Sequence, residues 1–324
     1  MALNLALIEA VAAIVRANFS ISAAAAALDR SQPTLSRQVQ ELERTLGVRV
    51  FARSRNKVAG LTPQGEEVLR IGQRLLRDAK NLAELGRGEQ ADAGELKIAT
   101  THLHARYLLP RVMKAFAART PGVTLTLRQG DPVRCCELVA AGEADLGVTT
   151  AAERVSPEIV TIPAYRLTRR VIVERGHPLT REKTLTLKKL AAFPLVAYSA
   201  PYSGRRIVDE AFARAGLRPR VVCSAIDADV SKTYVELGMG IAVLAGIAFD
   251  PARDRGLVAL DADHLFGASI LNLVLRRHAH VGRHALAFVR LLAPHLGPAL
   301  LRRAAEGGDI DRARLAREAP EAAR

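Results

Sequence analysis

Apolar residues near the start of the chain recur at the spacing of a helix that is buried on one side. The stripe over residues 31–46 consists of Leu35, Val39, Leu42 and Leu46. Such spacing predicts an amphipathic helix. Ser31 stands where its N-cap is expected, and Pro33 is tolerated in the first turn. A run of small apolar residues over 23–28, with Ser22 as its expected cap, predicts a shorter helix just before it.

The outward face of the longer helix is polar. It carries Thr34, Arg37, Gln38 and Glu41, and hydroxyl, guanidinium and amide groups suit base edges and phosphates in a major groove. The pair of helices therefore predicts a DNA-binding helix-turn-helix. Any two-helix hairpin with a polar surface is the alternative interpretation.

A basic turn follows between two short apolar runs. Residues 48–51 and 58–61 predict a pair of strands, and Arg53, Arg55 and Lys57 lie in the turn that joins them. This is the arrangement of a basic wing, whose cations would reach phosphates or the minor groove. A solvated loop is the alternative.

These residues carry a resemblance to a known family. SQPTLSRQVQELERTLGVRVFARS, followed by LTPQGEEVL, resembles the N-terminal domain of LysR-type transcriptional regulators over residues 3–85. The resemblance implies a winged domain over 1–61 that binds promoter DNA. The candidate DNA-binding residues are Ser31, Gln32, Pro33, Thr34, Ser36, Arg37, Gln38, Arg53, Arg55 and Lys57.

Residues 62–86 predict one long helix with more apolar surface than a linker needs. Its first seam contains Val68, Gly72, Leu75, Ala79 and Leu82, and a parallel seam contains Leu69, Leu76 and Ala83. Heptad spacing of this kind is typical of helices that pair. We expect a linker and dimerisation helix, with packing against the same chain as the alternative. Residues 87–93 are polar and predict a hinge.

From residue 94 the pattern changes to strands that alternate with helices, including one helix over 105–119. Two similar α/β halves imply two lobes with parallel sheets, joined by crossovers near 163–168 and 265–268. The predicted fold is α/β: a winged helix-turn-helix and long linker helix, then a two-lobed, periplasmic-binding-protein-like (Rossmann-like) effector domain over 94–298. Lobe I is expected at about 94–165 and 268–298, lobe II at about 166–267, and a surface helix or frayed tail at 299–324.

Hydroxyl-bearing residues collect where strands of both halves end. Such junctions hold anions with hydroxyl and backbone N–H groups, although each junction alone is more typical of a helix cap. The candidate effector-binding residues are Thr100, Thr101, His102, Leu103, His104, Thr149, Thr150, Tyr202, Ser203 and Gly204.

A second resemblance covers residues 94–294. ATTHLHARYLLP, RGHPLT, YSGRR and DADVSKTYVELGMGIAV resemble the effector domain of the CysB branch of LysR-type regulators. That branch controls sulfur assimilation, responds to sulfate-like anions and acetylated serine, and often forms tetramers. The resemblance implies ligand contacts at Thr101, Leu103, His104, Thr150 and Ser203, with no other cofactor.

Two of these positions depart from the branch. Leu103 and His104 stand where its motif has a threonine and a glutamine. One hydroxyl donor is lost, at a cost of about 1 kcal/mol per hydrogen bond, and an amide becomes an imidazole. The effector is therefore left open among sulfate, thiosulfate, sulfonate and acetylserine. A charged His104 would make binding pH-sensitive.

Composition fits a regulator that binds an anionic partner. The 324 residues carry a formal net charge of +14, which favours nucleic acid over a membrane surface. We expect a cytoplasmic protein without a secretory signal, acting as a homodimer or homotetramer with promoter DNA and RNA polymerase. Three cysteines form no disulfide framework. Because Cys135 and Cys136 are adjacent, a role as a redox sensor is kept as an alternative interpretation.

Other functions are less consistent with the sequence. His278, His280 and His284 lie close together, and the first two share a strand face that would suit a metal pair, but no acidic residue or cysteine accompanies them. No nucleotide-binding or hydrolase motif is present, so no catalytic residue is assigned. A solute-binding protein with the same two-lobed fold, or a LysR-type regulator of another pathway, are the alternatives.

Overall fold

The first part of the chain folds as three helices, a two-stranded ribbon and a long helix. A computed structural model describes residues 4–54, 57–86, 93–150, 156–200 and 202–322. The chain divides into two units, Met1–Ala91 and Asp92–Arg324. The elements of the first unit are α1 (Leu5–Arg16), α2 (Ile21–Ala27), α3 (Gln32–Leu46), β1 (Phe51–Ser54), β2 (Lys57–Leu61) and α4 (Pro63–Gly86).

Side-chain caps fix where α2 and α3 begin. The Ser31 hydroxyl accepts from the Thr34 backbone N–H at 3.3 Å, as expected for the N-cap of α3. The expectation for α2 was wrong, because Ser20 rather than Ser22 caps it by accepting from the Ala23 backbone. Leu35, Val39 and Leu42 are buried as the apolar stripe predicts. The first unit is therefore built around the inner face of α3.

A buried carboxylate sets the start of the ribbon. Glu43 Oε1 accepts from the backbone N–H groups of Val50, at 2.8 Å, and Phe51, at 3.2 Å. A side chain thus takes the hydrogen bonds that strand pairing would otherwise use. The strand predicted over 48–51 therefore begins only at Phe51, where β1 pairs with Leu61 of β2.

Helix α4 packs part of its apolar surface on its own chain. A Cβ atom added at Gly72 would lie 2.4 Å from Ile8 Cγ2 of α1, and Val68, Leu69 and Leu76 pack against the same core. Packing within the chain, the alternative interpretation, therefore accounts for much of both predicted seams. Among the described side chains of α4, three large apolar ones stay exposed: Ile71, Leu75 and Leu82, at 37%, 38% and 69%.

The second unit contains two five-stranded sheets that define two lobes. The chain first builds lobe I with β3 (Gly94–Thr100), α5 (His102–Tyr107), α6 (Leu109–Arg119), β4 (Val123–Gln129), α7 (Pro132–Ala140), β5 (Leu146–Thr150) and β6 (Ile159–Leu167). It then builds lobe II with β7 (Arg169–Glu174), α8 (Leu187–Ala191), β8 (Leu195–Tyr198), α9 (Ser203–Arg214), β9 (Val221–Ala225), α10 (Ala228–Glu236), β10 (Ile241–Ala245), β11 (Leu257–Asp261) and α11 (Asp263–Phe266). It returns to lobe I with β12 (Ser269–Arg276), α12 (Arg283–Leu292), α13 (Pro298–Ala305) and α14 (Arg312–Glu318).

Strand order places the ends of the parallel strands toward the junction of the lobes. The order is β4-β3-β5-β12-β6 in lobe I and β11-β7-β10-β8-β9 in lobe II. Strands β4, β3 and β5 are parallel, whereas β12 is antiparallel to β5 and β6. The chain enters lobe II at Thr168 and leaves it at Gly267 and Ala268. Ligands of such folds bind beyond the carboxyl ends of the parallel strands.

Two elements differ from the sequence-based expectation because of proline. The single helix expected over 105–119 is split into α5 and α6 at Leu108, since Pro110 has no N–H to continue the ladder and its ring crowds the preceding turn. Strand β6 was expected only as a crossover. Its Pro163 is accommodated because β6 is the edge strand of its sheet.

The segment expected as a surface tail is instead packed on lobe I. Leu301, Ala304 and Ala305 of α13 are at most 1% exposed. The last described residues then run beside β6, where the Arg166 N–H donates to the Pro320 carbonyl at 2.8 Å and the Ala322 N–H donates to Arg166 at 2.9 Å. Ala304, Ala305, Ala319 and Ala322 of this charged segment are therefore core residues.

Candidate functional site

A cavity that is partly open to solvent lies between the two lobes of the second unit, with about 430 Å³ of empty space that includes open solvent. Lobe I and the returning strand supply Thr101, Leu103, His104, Thr150, Leu167 and Ser269. Lobe II supplies Arg169, Tyr198, Tyr202, Gly204, Ile226 and Asp227.

The lobe I wall is built from the junction between β3 and α5. Thr101 is the N-cap of α5, but its side chain makes no capping hydrogen bond. Its Oγ1 instead lies 2.9 Å from His104 Nδ1. Both side chains are almost fully buried, at 3% and 1% exposed. Because the Thr101 hydroxyl does not cap α5, it is available to form a hydrogen bond with a ligand.

The His104 imidazole is neutral at physiological pH. Burial lowers the pKa of His104 from its ordinary value of 6.5 to about 4, although the Val148 backbone carbonyl opposes part of that shift. Among the described residues Nε2 has no hydrogen-bond partner. A neutral ring disfavours the hypothesis that His104 adds charge to the site and makes binding pH-sensitive.

Three candidate effector-binding residues lie outside the cavity lining. The Thr100 hydroxyl donates to the Val148 carbonyl at 2.9 Å, which joins β3 to β5. Thr149 precedes Thr150 on β5, and because successive side chains of a strand alternate, it faces Cys135 of α7 instead of the cavity. His102 lies beside Asp227 and Asp229 of lobe II.

The lobe II wall contains a buried cation that the sequence pattern did not reveal. Arg169 is 3% exposed, and its Nη2 donates to Ser269 Oγ at 2.9 Å. Its Nε has no hydrogen-bond partner among the described residues. Burial lowers the pKa of Arg169, and Tyr198 and Asp263 oppose the shift. The sequence signal that could have identified Arg169 is an arginine at the first position of a buried strand, directly after the chain crosses into lobe II.

Tyr198 and Gly204 lie next to this guanidinium. The Tyr198 hydroxyl is also buried without a partner among the described residues, and burial raises the pKa of Tyr198, so the hydroxyl stays protonated. A Cβ atom added at Gly204 would lie 3.2 Å from the Tyr198 ring and 3.9 Å from Arg169 Nη1. Tyr202 and Ser203 flank this start of α9, but the Ser203 side chain lies outside the described part of the chain.

Polar side chains bridge the lobes beside the cavity. Tyr107 Oη donates to Asp229 Oδ1 at 2.6 Å, and Arg106 Nε lies 3.3 Å from the same carboxylate. Lys232 Nζ lies 5.0 Å from the centre of the Tyr107 ring and binds Asp254 at 2.9 Å. Burial raises the pKa of Asp229, but Tyr107, Lys232 and Arg106 outweigh it and the net pKa is lowered.

One group of side chains has the spacing of a metal site. Donor atoms of His102, Asp227 and Asp229 lie within 4.8 Å of one another. Asp229 is already engaged by Tyr107, Arg106 and Lys232, and Asp227 Oδ1 caps α10 by accepting from the Val230 N–H at 2.8 Å. These contacts account for both carboxylates without an ion. In the described ranges His278, His280 and His284 are not part of such a group.

The adjacent cysteines are buried on α7. Burial raises the pKa of Cys135 to about 12 and that of Cys136 to about 11. Because the thiolate is the reactive form, this environment disfavours the redox interpretation.

The candidate DNA-binding residues lie on the outer face of the first unit. Gln32, Pro33, Thr34 and Arg37 are exposed on α3, while Ser36 and Gln38 are half-buried. Arg30 links Gln38 to α1, since its Nη1 donates to Gln38 Oε1 at 3.2 Å and its Nη2 donates to Glu9 at 2.9 Å. Arg53 is exposed on β1; Arg55 lies outside the described residues, as does the side chain of Lys57.

Within the described ranges, no helix has both the length and the apolar character needed to cross a membrane.

Comparison with known proteins gives consistent similarity along the chain. Residues 5–66 match the family described as bacterial regulatory helix-turn-helix protein, lysR family, and residues 89–297 match the LysR substrate binding domain. The chain is 45% identical to the HTH-type transcriptional regulator SsuR of Burkholderia cenocepacia over 286 residues, which is 88% of this chain and 93% of that protein. It is 40% identical to the regulator CysB of the same organism over 90% of this chain and 94% of CysB.

A solved structure is similar to the second unit. The crystal structure of the cofactor-binding domain of the Cbl transcriptional regulator matches with a TM-score of 0.63 and 39% identity, and the match covers 66% of this chain and 94% of that one.

Proposed function

The chain belongs to the LysR family of bacterial transcriptional regulators. From this premise we propose that it binds promoter DNA through α3 and the wing, and that a small anion bound in the cavity switches its activity. The observation that carries the effector role is the pair of buried, unpartnered donors, Arg169 Nε and Tyr198 Oη, in a cavity between two lobes. Buried polar groups usually have partners, so these donors indicate a ligand.

The DNA-binding role is supported by the exposed face of α3. Thr34 and Arg37 are exposed on a helix that is capped by Ser31 and buried along its opposite side. A guanidinium on such a face can read guanine or contact phosphate. Arg53 on the ribbon would add a backbone contact beside it.

Self-association through α4 is the expected companion of DNA binding. Ile71, Leu75 and Leu82 leave an exposed apolar stripe on α4, which a second copy would cover by helix pairing. A two-fold dimer would present two α3 helices to two half-sites. The proposed assembly is a dimer or a tetramer, which sedimentation distinguishes. Contact with RNA polymerase is also part of the proposal, and transcription assays in vitro test it.

The similarity to SsuR, CysB and Cbl supports a sulfur-related effector. We include sulfate, thiosulfate, sulfonates and acetylserine in that class. A thermal-shift screen of these compounds on the full chain tests it, because a specific ligand raises the melting temperature by mass action. Stabilisation by an unrelated carboxylic acid alone would favour a regulator of another pathway.

The DNA-binding assignment is tested with the double variant Arg37→Ala and Gln38→Ala. DNase footprinting on the DNA upstream of its own gene should show protection by the unaltered chain and loss of it in the variant. Arg74→Ala, which removes one exposed charge from α4, is the control and should retain the footprint. Protection that survives the double variant would contradict the assignment of α3.

A further inference from the structure

The charges that line the cavity suit one negative charge on a ligand. Arg169 is the cation among the described lining residues, since the other basic residue, His104, is neutral. Asp227 adds a carboxylate to the same lining. A dianion would therefore bring charge that no second cation neutralises, and an uncompensated buried charge is costly.

The donors around Arg169 converge on one place in lobe II. The Arg169 guanidinium and the Tyr198 ring lie beside the first turn of α9 at Gly204, and Arg169 and Tyr198 interact electrostatically. Helix α9 has twelve residues, and its N-cap Tyr202 makes no side-chain capping hydrogen bond. N–H groups in the first turn of a helix have no intrahelical acceptor and favour anions. The buried, unpartnered Arg169 Nε and Tyr198 Oη provide a second, independent indication of an anion there.

Apolar side chains form part of the remaining lining, beside the hydroxyl-bearing Thr101, Thr150 and Ser269. Leu103 and Leu167 face the cavity from the lobe I side, and Ile226 lies at its lobe II edge with 63% of its surface exposed. The rings of Tyr198 and Tyr202, with centroids 5.9 Å apart, add aromatic surface. An inorganic oxyanion would leave these side chains facing water, whereas an organic molecule would cover them.

We propose that the cavity binds an organic monoanion, a sulfonate or carboxylate with an aliphatic body, whose acid group lies on Arg169, Tyr198 and the start of α9. This rests on the proposed effector role of the cavity and narrows its ligand class. The aliphatic body lies against Leu103, Leu167 and Ile226. Thr101 and Thr150 of lobe I face the same ligand, so its binding joins the two lobes.

Isothermal titration of the full chain at neutral pH tests the class directly. The ligands are sodium sulfate, methanesulfonate, ethanesulfonate, butanesulfonate and pentanoate. Affinity should rise about fourfold for each methylene that the cavity buries, and butanesulfonate should bind at least about tenfold more tightly than sulfate. Comparing butanesulfonate with pentanoate distinguishes the two acid groups. Sulfate binding as tightly as butanesulfonate, or an absence of any chain-length effect, overturns the proposal.

Variants locate the acid group. Arg169→Met should weaken butanesulfonate binding by about a hundredfold, since a charge-assisted contact is lost, whereas Arg170→Met removes the next arginine, which pairs with Asp261, and should leave affinity unchanged. Tyr198→Phe removes a hydroxyl that bonds no described residue, so it should weaken binding about tenfold without lowering the melting temperature of the free chain. Unchanged affinity in Tyr198→Phe and Arg169→Met overturns the placement; if the arginine variant does not fold, Tyr198→Phe decides alone.

Failure of this proposal is separable from failure of the proposed function. A chain that footprints its promoter but binds none of these anions retains the DNA-binding role and loses the ligand class. A chain that binds butanesulfonate but no promoter fragment retains the ligand class and loses the DNA-binding role.

Discussion

The hydroxyl of Tyr107 in lobe I donates a 2.6 Å hydrogen bond to the carboxylate of Asp229 in lobe II. Arg106 and Lys232 also reach this carboxylate, at 3.3 and 3.5 Å. One acidic side chain of lobe II is therefore held by two neighbouring residues of lobe I. The lobes are tied together at this point even without a ligand, and any effector acts on an interface that is already in place.

Tyr107→Phe should loosen this connection. The ring that contacts Lys232 is kept, but a hydrogen bond to a charged group is lost, which should lower the free energy of unfolding by about 1.5–3 kcal/mol. Urea denaturation measures the change. Tyr165→Phe, which removes a 2.8 Å hydrogen bond to the Leu292 carbonyl within lobe I, is the matched control. Limited proteolysis of the lobe crossings should accelerate only in Tyr107→Phe, and equal rates in both variants would contradict a role in joining the lobes.

Stability should fall with acid because of His104. The pKa of His104 is lowered to about 4 from 6.5, so the folded chain binds fewer protons than the unfolded chain between these values. Its contribution is complete above pH 6.5 and is lost as the pH falls toward 4, amounting to about 3 kcal/mol. His104→Gln lacks the titrating ring, so its stability relative to the unaltered chain should improve by this amount between pH 7 and 4. Urea denaturation at both pH values measures it, and a constant difference between the proteins would refute the buried neutral ring.

Effector affinity should be insensitive to His104 titration above about pH 5.5. Because the ring is neutral throughout that range, the dissociation constant of a bound monoanion should stay within about twofold from pH 5.5 to 8. Calorimetry across this range checks the expectation. A tenfold loss of affinity with rising pH would indicate a protonated His104 in the complex.

Glu43 should be essential for the stability of the first unit. Its side chain is 8% exposed and accepts two backbone N–H groups at the start of the ribbon. Glu43→Ala leaves both buried donors unpaired, which should lower the free energy of unfolding by about 2–4 kcal/mol. Glu41→Ala, at an exposed position of the same helix, should change it by less than about 0.5 kcal/mol. Similar values for the two variants in thermal or urea denaturation would contradict the assigned role.

Gly65 marks a close approach of α4 to the ribbon. A Cβ atom at this position would lie 1.9 Å from the Val50 carbonyl oxygen, which is backbone and cannot move aside easily. Gly65→Ala should therefore lower the melting temperature, at a cost of about 1–3 kcal/mol. Gly60→Ala adds the same atom where nothing lies within 4 Å and should have little effect. Equal melting temperatures for the two variants would show that α4 can shift.

Local patterns predicted the elements whose determinants are local. Ser31 and the stripe of Leu35, Val39 and Leu42 fixed α3 because cap and buried face lie within one segment. The start of β1 was missed because it depends on Glu43, eight residues earlier, whose carboxylate looked like any exposed helix residue. The fold class was correctly predicted because alternation of strands and helices is read over many residues at once.

The cavity could be predicted only in part for a similar reason. Thr101 and His104 follow the end of β3 and Thr150 is the last residue of β5, and strand ends are visible in a sequence. Arg169 and Asp227 come from lobe II elements that are far apart along the chain, and an arginine at the start of a strand is commonly a surface residue. Burial of His104 disfavours the hypothesis of a charged ring, and the sequence could not show this because desolvation depends on neighbours that are distant along the chain.

The contact between Glu321 and Thr168 has a practical consequence. The Thr168 hydroxyl donates to Glu321 at 2.8 Å, at the residue where the chain passes into lobe II. A rotation of that lobe must carry this terminal segment along or set it free. Timed digestion with a carboxypeptidase, followed by mass spectrometry, would thus register movement at the crossing from the far end of the polypeptide, with no label attached near the cavity.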